Sequence, residues 1–169
     1  SPVQTTRPRV ASCTLTSRAD EAGQRAVETV IEACVAQGAV RQGTVDFPVE
    51  ARDLRRHALL LVEVCAAATF RHQLEAGRMP ASTEALISYG SHASASKLWS
   101  AMEQIIAARR LVRLAMLDID YLMVPTAPRE APPVDDTTDH ASVFTAWVNA
   151  VGLPCVAVPV ADRSVQIIG

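Results

Sequence analysis

The stretch Asp120-Tyr121-Leu122-Met123-Val124-Pro125-Thr126-Ala127-Pro128 decides how this chain is read. Four apolar residues run into a turn fixed by two prolines. A buried-type strand is therefore predicted over Asp118–Val124, ending at a rigid corner. In open α/β sheets the C-terminal end of a strand is where ligands bind. Read from the residues alone, the corner is more simply a turn by which the chain leaves the sheet.

The segments around it keep a strand–helix alternation. Arg9-Val10-Ala11-Ser12-Cys13 is a short β-type run after Pro8. A helix opens near Asp20, with Val27, Val30, Ile31, Cys34 and Val35 on one face, and Gly38 stands where a left-handed cap belongs. Thr44-Val45-Asp46-Phe47, ended by Pro48, reads as the next strand. Strand, helix and strand over this length make a βαβ unit, hence a parallel pair.

A second long helix is predicted over Ala51–Glu75, through Leu54, Ala58, Leu61, Cys65 and Thr69, broken by Gly77 and Pro80. Ser82–Ser88 suggests a short helix with Ser82 and Thr83 as caps, and Ser88–His92 a loop. A third long helix spans Ser94–Leu117, with Leu98, Met102, Ile105, Ile106, Val112 and Met116 as its apolar stripe. After the corner come a proline-rich acidic stretch to Asp139, a helix over Ala141–Ala150 capped by Gly152, and two strands. The first of these, Cys155-Val156-Ala157-Val158, is continuously apolar, as in strands covered on both faces. The last is Val165-Gln166-Ile167-Ile168. The fold class expected is α/β: a mixed β-sheet flanked by long helices, in a single domain over residues 1–169.

Composition narrows the function. The 169 residues carry a net charge of −2, so there is no basic footprint for nucleic acid. No apolar run reaches the roughly 18–20 residues of a membrane helix, and Ser1–Pro8 has no signal-peptide core. Cys13, Cys34, Cys65 and Cys155 are widely spaced, which favours reduced, mostly buried thiols and a cytoplasmic setting.

Ser94-Ala95-Ser96-Lys97 fits Ser-x-x-Lys, a spacing that puts a serine and an amine on one helical turn. A helix start explains it more simply. Lys97 is the only lysine, so no second lysine motif can support it. Among His57, His72, His92 and His140, no spacing makes a tight zinc site. His140 beside Asp135, Asp136 and Asp139 reads as a solvated acidic loop. Glu63 interrupts an apolar helix face, and is expected to pair with an arginine or turn outward. No metal or cofactor is expected.

The corner, Phe144-Thr145-Ala146-Trp147-Val148-Asn149-Ala150-Val151-Gly152-Leu153-Pro154, Val158-Pro159 and the closing Val165-Gln166-Ile167-Ile168-Gly169 together resemble the C-terminal part of amidase-signature hydrolases. Arg7-Pro8-Arg9-Val10, the following helix and Gly43-Thr44-Val45-Asp46-Phe47-Pro48 are similar to the segment after that family's catalytic core. The resemblance implies hydrolysis of an amide C–N bond by a Ser–cis-Ser–Lys mechanism, with a small amide as substrate. It also implies that the catalytic residues lie in a core segment upstream of residue 1, since none of those motifs occurs here. This chain would supply scaffold and one pocket wall, through Thr126, Ala127, Pro128, Phe144 and Thr145. Phe144 and Thr145 serve equally well as helix residues with no pocket role. Only Ala161-Asp162-Arg163-Ser164 separate Val160 from Val165, where the family usually has a longer hairpin. The other reading is a non-catalytic interaction or regulatory module derived from an amidase. Long apolar faces without the rest of the sheet predict a homo-oligomer.

Overall fold

The computed structural model describes residues 7–131 and 142–169. Its strands are β1 (Arg9–Cys13), β2 (Val40–Val45), β3 (Tyr121–Pro125), β4 (Cys155–Val160) and β5 (Arg163–Ile168). Its helices are α1 (Glu21–Ala36), α2 (Ala51–Thr69), α3 (Arg71–Glu75), α4 (Ala81–Ser91), α5 (Ala95–Ala115) and α6 (Val143–Val151). The sheet order is β2-β1-β3-β5-β4. β1 runs parallel to β2 and β3, while β5 is antiparallel to both β3 and β4. This is the mixed α/β sheet expected.

The period-two alternation of the strands sorts their side chains onto two faces. Val10, Met123 and Val165 pack with Val27, Val30 and Ile31 of α1. Ala11, Cys13, Leu122, Val124 and Ile168 pack on the opposite face, with Ile105 and Val112 of α5 and Trp147 and Val151 of α6. The start of β3 is held against β1 by Asp120, whose carboxylate accepts from the Arg9 backbone N–H at 2.7 Å and from its guanidinium at 3.1 Å.

Several local expectations shift in the tertiary setting. β2 begins at Val40, before the predicted strand, because Val40 already pairs with Arg9. Its register slips between Val10 and Ser12, opposite Gly43 at φ +84°. That is a bulge made where glycine tolerates a positive φ. On α2 the buried face is Ala51, Leu54, Leu60, Glu63 and Ala67, leaving Cys65 and Thr69 exposed. The second half of the helix turns toward α4 and not toward the sheet.

The expected loop Ser88–His92 is the last turn of α4, which starts at Ala81 with no side-chain cap from Ser82 or Thr83. The helix is extended by a close contact. A Cβ on Gly90 would fall on the Glu63 carbonyl and lie 2.7 Å from the Val64 nitrogen, so only glycine allows this approach to α2. On α5 the buried stripe is Ala101, Ile105, Ala108 and Val112, while Met102 and Ile106 are exposed. The two alanines are small enough to permit close packing.

β4 corrects the expectation of a strand covered on both faces. It is an edge strand, and Cys155, Val156, Ala157 and Pro159 are exposed. The helices lie mainly over β1, β3 and β5, and only the Val160 end of β4 packs against the α1 cluster. The cysteines are corrected too: Cys13 is buried, Cys34 is half-buried, and Cys65 and Cys155 are exposed. The acidic stretch with Asp135, Asp136, Asp139 and His140 lies outside the described residues. No helix among the described residues is long and apolar enough to cross a membrane.

Candidate functional site

The corner after β3 is held by three separate segments of chain. Its own strand ends at Pro125, which is buried. The Thr126 N–H donates to the Ser164 carbonyl at 3.0 Å, and the Thr126 hydroxyl donates to the same oxygen at 2.8 Å while touching the Ser164 hydroxyl. The Pro128 carbonyl accepts from the Asp20 backbone N–H at 2.7 Å.

Asp20 is the N-cap of α1, and its carboxylate accepts from the Gly23 N–H at 2.7 Å. The same carboxylate accepts from Arg163 Nη2 at 2.9 Å. Arg163 also donates through Nη1 to Asp162 at 2.8 Å. The Arg163 contact and then the Gly23 N–H hold the Asp20 carboxyl below its ordinary range. The β4–β5 hairpin thus clamps α1 and the corner together.

Behind the corner lies Gln166, 2 % exposed. Its side-chain amide donates to the Pro125 carbonyl at 3.1 Å and to the Phe144 carbonyl at 2.9 Å. It thereby joins the end of β3 to the first turn of α6.

In front of the corner a cavity of about 500 Å³ opens between Gly23, Thr126, Ala127, Arg129, Glu130 and Arg163. Its charges are mixed. The buried Arg163 Nε has no hydrogen-bond partner among the described residues.

Thr126 and Ala127 line this cavity, and Pro128 stands half-buried beside it. Phe144 lies on the first turn of α6. It is 1 % exposed and belongs to the core, because α6 turns this face toward the sheet; what it offers the corner is its carbonyl oxygen. Thr145 is half-buried on the first turn of α6, where its hydroxyl donates to the Ser142 carbonyl at 3.4 Å. Trp147 is fully buried, edge-on to Phe47 with ring centroids 4.8 Å apart.

Asp20, Arg163 and Gln166 are the residues that sequence reading missed. Asp20 had a legible signal as a cap before an apolar-periodic run. A polar residue at a buried parity of β5 marked Gln166. Nothing local marks Arg163 for this clamp, since Asp20 lies 143 residues away.

The described residues do not bring together an activated nucleophile. Ser94 is the N-cap of α5 and accepts from the Lys97 backbone N–H at 3.2 Å, while Lys97 Nζ bonds the Tyr89 hydroxyl. The Ser-x-x-Lys spacing is a helix start here. Ser91 Oγ lies 3.1 Å from His92 Nδ1, but both are engaged by the Ser88 carbonyl, at 2.7 and 2.8 Å. With Nδ1 donating there, the ring nitrogen facing the serine cannot accept its proton. No group of three or more metal-ligating side chains occurs among the described residues.

No protein-family model and no curated protein matches the sequence. Solved structures match in fold. The chain superimposes over 96 % of its length on the structure described as an unexpected vestigial protein complex that reveals the evolutionary origins of an s-triazine catabolic enzyme, with a TM-score of 0.80 and 18 % identity. It covers 99 % of itself on a structure described as an amidase, with a TM-score of 0.80 and 19 % identity. On a bacterial aryl acylamidase of the amidase signature family it covers 96 %, with a TM-score of 0.75 and 16 % identity. It spans only 39 %, 43 % and 40 % of those chains. The fold is that of a C-terminal portion of amidase-signature enzymes.

Proposed function

We propose that this chain forms part of an amidase that hydrolyses an amide C–N bond in a small amide-type substrate. Thr126, Ala127 and Pro128 form one wall of the substrate pocket, with Phe144 and Thr145 supporting that wall from α6. Amide hydrolysis needs a nucleophile, a proton shuttle and donors for the tetrahedral oxyanion. In this reading a Ser–cis-Ser–Lys core segment outside residues 1–169 supplies all three. The observation that carries it is the fold match: amidases contain nearly all of this chain, yet it makes up about two fifths of them. The open apolar edge of β4 fits a strand that completes its packing against further polypeptide. Without that cover the bare chain self-associates. A cytoplasmic setting suits the four free thiols.

The test compares ammonia release from aliphatic and aryl amides by the complete gene product and by residues 1–169 alone. Turnover is expected from the first and not from the second. Turnover by residues 1–169, abolished by Ser94→Ala or Lys97→Met, overturns the proposal. A complete product that binds a protein partner but turns over no amide favours the interaction module.

A further inference from the structure

A second cavity, of about 630 Å³, opens between α2, α4 and α5. None of the corner residues lines it. Its walls carry Glu63 from α2, Tyr89 from α4, and Ser96, Lys97 and Ser100 from α5, with Leu60 among the apolar lining.

Two opposite charges are held there on different helices. Glu63 is 7 % exposed and has no hydrogen-bond or ion-pair partner among the described residues. It is neither arginine-paired nor turned outward, contrary to both sequence expectations. The backbone contact at Gly90 fixes the stretch of α2 that carries it. Burial pushes its carboxyl up, while the Lys97 charge draws it down. Lys97 is anchored on the first turn of α5 by the Ser94 cap. Its ammonium bonds the Tyr89 hydroxyl and stands 4.8 Å from the centre of that ring. An ammonium has three donors, so two stay available. The two groups are not paired with each other, and they face one space.

A carboxylate that opens only into a cavity, with no donor from the protein, favours a cationic N–H group from a ligand there. The other cation at this cavity, Arg56, is engaged with Asp53, and His57 stands beside it on α2. The volume falls in the range of small-molecule sites.

We propose that this cavity binds a small zwitterion, its ammonium on Glu63 and its carboxylate on Lys97 and the Tyr89 hydroxyl. The apolar side chains of Leu59, Leu60 and Ala101 take the methylenes between the two charges. This site does not depend on the amidase reading.

The experiment is calorimetric titration of the protein with glycine, 4-aminobutyrate and 6-aminohexanoate. Hexylamine and hexanoate serve as single-charge controls. One amino acid is expected to bind about tenfold or more tightly than either control. Glu63→Gln, which keeps the shape and removes the charge, and Lys97→Met are each expected to weaken it by about tenfold or more. Circular dichroism should be unchanged in Lys97→Met, a surface-facing variant that keeps the test valid if Glu63→Gln alters the fold. The proposal is overturned if none of the three amino acids binds, if the controls bind equally well, or if Lys97→Met binds like the parent.

Discussion

The side-chain amide of Gln166 donates to the Pro125 carbonyl at 3.1 Å, from inside a core that leaves the glutamine 2 % exposed. β5 runs antiparallel to β3, and this bond crosses from one strand to the last residue of the other. The second N–H goes to Phe144 on α6. One residue therefore sets the position at which β3 ends, where the proline-fixed corner begins.

Gln166→Leu leaves the Pro125 and Phe144 carbonyls without their donor inside the core. The expected loss of stability is about 2 kcal/mol. Gln166→Glu replaces the donor with a group that faces two acceptors, and is expected to cost more. Urea denaturation at neutral pH measures both, and a neutral Gln166→Leu would contradict the arrangement.

The clamp between Asp20 and Arg163 gives a pH dependence of known sign. Arg163 first, then the Gly23 N–H, lowers the Asp20 carboxyl from its ordinary 3.8. Arg18 first, then the Arg52 N–H, lowers Glu50 from 4.5 to about 2. The folded chain therefore binds fewer protons than the unfolded one in acid. This stability is present above the ordinary carboxylate values and fades as pH falls through the lower folded ones. For Glu50 the window runs from 4.5 to about 2. Asp20→Asn is expected to flatten the acid limb of a stability–pH curve, and a limb as steep as the parent's would count against the clamp. A double-mutant cycle of Asp20→Ala with Arg163→Met is expected to show less-than-additive losses.

Gly90→Ala tests the approach of α4 to α2. The added methyl meets the Glu63 carbonyl and the Val64 nitrogen, both backbone atoms that cannot swing aside. The helices must separate, at an expected cost of about 1–3 kcal/mol. Thermal unfolding of the variant checks it, and an unshifted midpoint would show that the helices stand further apart.

The β4–β5 hairpin turns on two residues, with Val160 paired to Arg163. Ala161 takes φ 52°, a left-handed conformation that a Cβ disfavours. Ala161 and Asp162 alone make the short connection, since Arg163 and Ser164 are already paired in β5. Ala161→Gly is expected to stabilise the protein by about 1 kcal/mol or less. A raised unfolding midpoint with unchanged circular dichroism is the expected result.

Much of the frame is legible along the chain because it depends on neighbours within a few residues. Val27, Val30 and Ile31 recur with the helical period, and the same three residues pack against the sheet. Asp20 and Ser94 stand where caps belong, and both cap. Pro125, Thr126, Ala127 and Pro128 read as a corner, and they form one at the end of β3. The left-handed cap at Gly152 was also legible, from the glycine that ends an apolar run.

Tertiary structure decided what depends on residues distant in sequence. An apolar strand looks alike whether it is central or at an edge, and only strand order makes β4 an edge. Asp20, the partner through which Arg163 clamps α1, is 143 positions away, so no local pattern names it. Phe144 is apolar enough for a pocket or a core, and the packing of α6 on the sheet put it in the core. Periodicity and capping energies act over one or two turns of chain. Burial, pairing and the meeting of charges across a cavity follow from how those segments are stacked.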